Sequence, residues 1–314
     1  MSIRIREKLS REEWLAWRMP NINATEAPVI LGVDKYQTLL GLYHEKKAGL
    51  AKKSSRIMRR GGHMEAAILS MLREERPDWQ IEPCGNYYDD PDLRIGCSPD
   101  AFAWSPEWEG RANVQLKTVS RPVFETDWRD EDGGVVVPIY YQVQTVIEAK
   151  MTHAVRNFIV PYVIETFARD DREDLFVLDV PIHDGAWNKV VQKTAAFWEN
   201  FEKGIEPPLE PERDGDLIKR LYPTEDGSVI DLGADNELPV LLAEEAELAE
   251  LLSMGNEKLK SMVDRREALR TEIKAKLGCA VGAVLPGWEI TWKTQCRKAS
   301  QSRVLRIKPI EGER

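Results

Sequence analysis

The apolar positions of the chain change period several times, and each change marks an element. SREEWLAWR, residues 10–18, opens with Ser10 and Glu13 three residues on, the capping-box signature of a helix start. Asn23-Ala24-Thr25-Glu26 caps a second short helix that ends at Gly32, and residues 37–49 read as a helix stopped by Gly49. From Gly62 to Arg73, Met64, Ile68, Met71 and Leu72 recur at helical spacing, and Pro77 closes that helix. The period then shortens. Residues 80–88 and 94–104 read as strands joined by the turn Asp89-Asp90-Pro91-Asp92, and ANVQLKTV, 112–119, as a third. Pro138 precedes a helix over 139–152. VRNFIVPYVI (155–164) and DLFVLDV (174–180) are two further strands, with Pro161 putting the first at or near a sheet edge. Trp187, Val190, Phe197, Trp198 and Phe201 lie on one face of a helix over 184–203.

Helices, then strands with an inserted helix, then a helix again predict a layered α/β core. Glu206-Pro207-Pro208 opens an acidic, Pro-rich connector running to about residue 238. Residues 239–277 read as one long helix, with Leu248, Leu252, Leu259, Met262, Leu269 and Ile273 at roughly heptad spacing. Such a stripe must be covered by its own domain, a sister subunit or a partner. GWEITWKT, 287–294, and RVLRIK, 303–308, close the chain as a small strand pair.

The 314 residues can bury a sizeable core, and 42% hydrophobic with 31% charged residues describes a soluble globular protein. No run approaches the ~18–20 apolar residues of a membrane span, and the N-terminus lacks the apolar segment of a secretory signal. Cys84, Cys97, Cys279 and Cys296 form no CxxC pair, which argues for reduced thiols in a cytoplasm and against a zinc ribbon. The net charge of −9 does not suggest a nucleic-acid binder, but the charge is segregated. Residues 206–257 hold fifteen acids and three bases, whereas 52–60 (Lys52, Lys53, Arg56, Arg59, Arg60) and 293–308 hold five and six bases with no acid. Two basic stretches therefore remain for an anionic partner, unless they are merely solvated helix faces.

The chemistry concentrates in Ser98-Pro99-Asp100 and Gln115-Leu116-Lys117. Gln115 and Lys117, two apart on one strand, share a face; Val114 and Leu116 point the other way. A carboxylate on one strand, an amide oxygen on its neighbour and a lysine beside them can hold Mg²⁺ and position an attacking water. The alternative is a surface hairpin with alternating polar positions. Glu65 stands near the start of a helix, where an acid also suits the helix dipole. Tyr141, Gln142 and Gln144 follow on the helix after the strand pair. His44, His63, His153 and His183 form no HExxH-like pair.

In order and spacing, WLAWR…NATEAPVILGVDKY, GHMEAAIL, IGCSPDAF, VQLKT and PIYYQVQTVIEAKM resemble the YqaJ-type viral recombinases, relatives of lambda exonuclease. The resemblance covers about residues 10–205, and GWEITWKTQCRKASQSRVLRIK echoes the terminal segment of longer phage members. It implies a restriction-endonuclease-like α/β fold, a central mixed sheet flanked by helices, with 1–205 as the exonuclease core and 239–314 as a helical and basic extension. It implies a Mg²⁺-dependent nuclease (Mn²⁺ substituting) that degrades linear duplex DNA from 5′ ends, leaving 3′ overhangs for phage-type recombination. It further implies a ring-shaped homo-oligomer such as a trimer, a single-strand annealing partner, and a phage or prophage protein at work in a bacterial cytoplasm.

Carried over by motif, Glu65 and Asp100 would be metal-site carboxylates and Lys117 the catalytic lysine, with Gln142 holding the lysine or the active-site water. Arg18, Thr25 and Ser98 would grip the terminal 5′ phosphate, which an Arg and two hydroxyls suit physically. A local account instead pairs Arg18 with Glu13 or Glu26 and makes Thr25 a helix cap. Some nucleases of this fold hold an iron–sulfur cluster on four Cys, but the spacing here is not theirs. One departure matters: the family's usual acid before x-Lys is Gln115, an amide that can ligate Mg²⁺ without offsetting its charge. Either this branch uses Gln with Glu65 and Asp100 supplying the charge, or the chain carries an isosteric inactivating Glu→Gln change. Gln115 also motivates a second function, a DNA-binding scaffold with a degenerate site; a site-specific endonuclease of the same fold is a third.

Overall fold

The computed structural model describes the chain except residues 1, 8–9, 50–55, 166–173, 226, 230, 233, 278–279, 286–287, 298–299 and 310–314. It divides into two units, Met1–Thr224 and Glu225–Arg314. The first unit runs β1 (Arg4–Glu7), α1 (Arg11–Arg18), β2 (Ile22–Asn23), α2 (Ala27–Ile30), α3 (Leu39–Ala48), α4 (Arg56–Glu75), β3 (Gln80–Pro83), β4 (Asn86–Asp90), β5 (Ile95–Cys97) and β6 (Ala101–Trp104). It continues with β7 (Ala112–Ser120), α5 (Arg121–Asp127), α6 (Ile139–Thr152), β8 (Arg156–Ile164), β9 (Leu178–Asp179), α7 (Asp184–Glu202) and α8 (Pro211–Leu221).

Local chemistry explains the helix ends. The Ser10 hydroxyl accepts from the Glu13 amide and donates to its carboxylate, Thr38 caps α3 by accepting from Gly41 N, and Gly49 ends α3 at φ 62°, where a side chain would be strained. α4 begins at Arg56, six residues before the expected start at Gly62, so the basic run from Arg56 and both glycines lie inside the helix.

The two long strands expected over 80–88 and 94–104 are each divided. β3 pairs antiparallel with β6, and β4 with β5. Interruptions of the strands at Cys84-Gly85 and Ser98-Pro99-Asp100 send the halves to different sheets. Cys84 N donates to Asp100 O at 2.8 Å and joins the two corners. One sheet has the order β1-β4-β5-β2 and the other β3-β6-β7-β8-β9. β7 and β8 are parallel over nine residues, and a parallel pair requires a crossover, here α5 and α6. Pro161 sits within β8, next to the short outer strand. Its carbonyl accepts from Phe176 N on that outer side, so the missing proline N–H leaves the β7 ladder unbroken.

β7 is covered on both faces. Val114 and Leu116 pack with Ile68 and Leu72 of α4, while Asn113, Gln115 and Lys117 face α6. Behind α6, Val143, Ile147 and Met151 join Ile95, Phe102, Trp187 and Trp198 in the largest core cluster. Within the stretch read as a connector, α8 docks on α3: Leu217 is buried, the Thr38 hydroxyl donates to the buried Asp214, and Arg213 donates to Asp34 O and Gln37 O.

The second unit contains α9 (Leu238–Leu277) and the antiparallel meander β10 (Gly282–Leu285), β11 (Trp288–Arg297) and β12 (Ser300–Pro309). β10 extends the expected strand pair to three strands. Among the described residues no helix is long and apolar enough to cross a membrane.

Candidate active site

The corner between β5 and β6 sets Asp100 at the mouth of the β6–β7 hairpin. Its Oδ2 accepts from Leu116 N at 2.8 Å and from the Gln115 amide. Burial pushes the Asp100 carboxyl above its ordinary pKa, against the pull of Lys117 and these donors. Gln115 is buried, and its Oε1 has no hydrogen-bond partner. Its amide satisfies Asp100 from one end and leaves a bare carbonyl oxygen at the other.

α6 closes the site from above. Lys117 Nζ donates to Gln144 Oε1 at 3.1 Å and stands 4.7 Å from the centre of the Tyr141 ring. Gln144 Nε2 in turn donates to Glu148 Oε1 at 2.9 Å, and Asn113 Nδ2 donates to Glu148 Oε2 at 3.3 Å and to Asn157 Oδ1 at 2.9 Å. Glu148 is 1% exposed, and burial first, then the charge of Asp100, pushes its pKa up to about 8. Burial lowers the Lys117 pKa, opposed by the charges of Asp100, Glu148 and Glu65. Because Glu148 accepts from its NH₂, Gln144 presents its oxygen, and not a donor, to the ammonium of Lys117.

Asp100, Gln115 and Lys117 therefore come together. Glu65, exposed on α4, lies near enough for its charge to act on Lys117. Gln142 points elsewhere: its Nε2 donates to Val137 O at 2.7 Å, and Gln144 is the glutamine that meets the lysine. Glu148 was not anticipated from the sequence. Its only signal there is a polar i, i+4 pair with Gln144 in a helix otherwise rich in apolar residues.

A second cluster adjoins the first through Ser98, two residues before Asp100. Arg18 Nη2 donates to Thr25 Oγ1 at 2.9 Å, and its guanidinium lies 4.5 Å from the centre of the Trp14 ring. Trp14 Nε1 donates to Ser98 Oγ at 2.9 Å. Glu26 is taken by Lys46 at 2.8 Å, and Glu13 accepts from Ser10. Among the described residues Arg18 thus makes no ion pair, and its charge is available to an anion. Trp14, a platform for that arginine, was not anticipated.

Along the start of α4, Arg56, Arg59, Arg60 and His63 line a cleft of about 660 Å³. Lys52 and Lys53 lie outside the described residues. Among the described residues no three His, Cys, Asp or Glu side chains converge as a metal site. The unpaired Gln115 oxygen beside the Asp100 carboxylate is nonetheless an all-oxygen donor pair, the kind that suits a hard cation such as Mg²⁺.

Residues 13–154 match the model of the YqaJ-like viral recombinase domain. Among curated proteins, none matches the chain. Among solved structures, the chain is similar to an alkaline exonuclease from Laribacter hongkongensis, at 17% identity and a TM-score of 0.47, over 68% of this chain and 98% of that one. It is also similar to a phage-related exonuclease from Haemophilus somnus 129PT, at 10% identity and a TM-score of 0.44, over 59% of this chain and 95% of that one.

Proposed function

From a YqaJ-like viral recombinase domain over residues 13–154 as premise, we propose that this protein is a metal-dependent exonuclease. It degrades linear duplex DNA from 5′ ends and leaves 3′ single-stranded overhangs for recombination. The observation that carries this reading is the juxtaposition of two clusters. Asp100, Gln115 and Lys117 form one, and Ser98, two residues away, belongs with Arg18 and Thr25 to the other. A terminal phosphate held by Arg18 would set the adjoining phosphodiester near Lys117.

Asp100, Gln115 Oε1 and Glu65 would hold Mg²⁺, or Mn²⁺ in its place. The ion, when bound, supplies Lewis-acid polarisation of the phosphate and an activated water. Lys117 supplies positive charge where negative charge develops on the phosphoryl oxygens. Gln144 and Glu148 hold that lysine in place, since their hydrogen bonds run Glu148–Gln144–Lys117. The basic cleft on α4 would take the incoming duplex through its phosphates. In this reading copies of the chain assemble around the duplex, and an annealing protein receives the exposed strand.

A second reading is favoured by one observation. Gln115 already satisfies an Asp100 oxygen by a hydrogen bond, and this would also suit a DNA-binding scaffold that does not cleave. Digestion of a linear duplex labelled at either end, with and without Mg²⁺ and a 5′ phosphate, separates the two. Loss of label from the 5′ ends only with Mg²⁺, faster on phosphorylated ends and with closed circles spared, is expected. Binding without cleavage at any Mg²⁺ or Mn²⁺ concentration would replace the nuclease by the scaffold.

A further inference from the structure

α9 is 40 residues long, about 60 Å at 1.5 Å per residue, and none of its residues is buried. Its heptad-spaced apolar side chains lie open, with Leu252 68% exposed, Leu259 60% and Met262 62%. An isolated helix in water gains little from propensity alone, and a stripe of this kind ordinarily gains its stability by being covered. Among the described residues of its own unit, none covers it.

The charges on the same helix point to what does. Residues 238–257 carry five glutamates and no base, whereas 258–277 carry seven bases and three acids. Acid at a helix N-terminus and base at its C-terminus suit the macrodipole, but that effect is confined to the first and last turns. Glu250, Glu257, Lys258 and Lys260 lie well inside. Two such helices side by side in parallel would set five glutamates against five. In antiparallel they set the acidic half of each against the basic half of the other.

The apolar spacing admits the same pairing. An antiparallel overlap about the helix midpoint places Leu252 of one helix near Met262 of the other, and Leu241 near Ile273. Both contacts recur by the two-fold symmetry of an isologous interface. We infer that α9 pairs antiparallel with α9 of a second copy of this chain, its leucines forming the seam and its two charged halves fixing the direction. The pairing does not depend on the nuclease reading.

Light scattering on the full chain at micromolar concentration tests the pairing. The wild type is expected as an oligomer, and Leu252→Glu/Leu259→Glu is expected to halve its mass, with any loss of helix in circular dichroism no larger than the 40 residues of α9. Direction is read by disulfide formation. With Cys279 and Cys296 replaced by Ser, Glu244→Cys and Arg270→Cys chains are mixed and oxidised. A cross-link between position 244 of one chain and position 270 of the other is expected. A monomeric wild type, an unchanged mass in the double variant, or a 244–244 cross-link would each overturn the inference.

Discussion

Replacing Gln115 by Glu tests the site at its most unusual residue. In the protein as it stands, the Gln115 amide donates to Asp100 Oδ2, and the two side chains are in direct hydrogen-bond contact. Gln115→Glu removes that donor and sets a second carboxylate against the first. Two like charges about 4 Å apart repel by about 4 kcal/mol at an effective dielectric of about 20. The lost hydrogen bond to a charged group adds about 1.5–3 kcal/mol. A loss of about 5.5–7 kcal/mol is a large part of the usual stability of a folded domain. The pair can escape by binding a proton, which raises its folded pKa above the ordinary carboxylate value of about 4. The folded state then holds more protons than the unfolded one, so stability falls as pH rises above about 4 and levels off above the raised pKa.

Thermal unfolding of both proteins in EDTA should therefore agree near pH 4 and separate by about 10 °C or more at pH 8. Millimolar Mg²⁺ should close the gap if the two carboxylates bind it. Equal melting at pH 8 in EDTA would refute the contact between positions 115 and 100. The same pair of proteins also decides why Gln is there. If Gln115 is an inactivating change, Gln115→Glu should raise DNA turnover by orders of magnitude. If it is the native ligand, the substitution should change the Mg²⁺ requirement more than the maximal rate.

Four further outcomes are expected. Lys117→Ala should lower cleavage by on the order of 10² or more while duplex binding persists; digestion at the wild-type rate would remove Lys117 from the chemistry. Arg18→Ala should abolish the preference for phosphorylated over hydroxyl ends, and an unchanged ratio in a paired digestion would take Arg18 out of the phosphate cluster. The Glu148 carboxyl, pushed up to about 8 when folded, should make stability fall between about pH 4.3 and 8, by about 1.4 kcal/mol per pH unit at most. In Glu148→Gln that slope should vanish from denaturant midpoints measured from pH 5 to 9. Ending the chain after Thr224 should leave the first unit folded. Ending it at residue 206 removes α8 with its buried Leu217 and the Asp214–Thr38 hydrogen bond, and should cost about 3–6 kcal/mol in a urea titration.

Periodicity and caps, which act over a few residues, were enough for much of the fold. The helix expected over 139–152 has those bounds, the one over 184–203 differs by a residue, and β7 extends the strand expected over 112–119 by one residue. α4 escaped because Gly61 and Gly62, which read as a start, are carried inside a helix whose later turns are fastened to β7. The partition of 80–88 and 94–104 between two sheets was not legible either. Alternation says which residues share a face, but not which sheet a strand joins.

At the site, Asp100, Gln115 and Lys117 could be found from sequence because a hairpin brings near neighbours together. The α6 contribution could not. Gln142 and Gln144 are two residues apart on a helix, so about 200° separates their directions. Tyr-Tyr-Gln-Val-Gln offers both glutamines to β7, and only the docking of α6 turns Gln144 and Glu148 toward Lys117 and Gln142 toward Val137. That choice is made by the apolar face of α6, where Val143, Ile147 and Met151 are buried against Ile95 and Trp187. The rotation of a helix is set by the sum of its tertiary contacts, while its existence is set by its own residues.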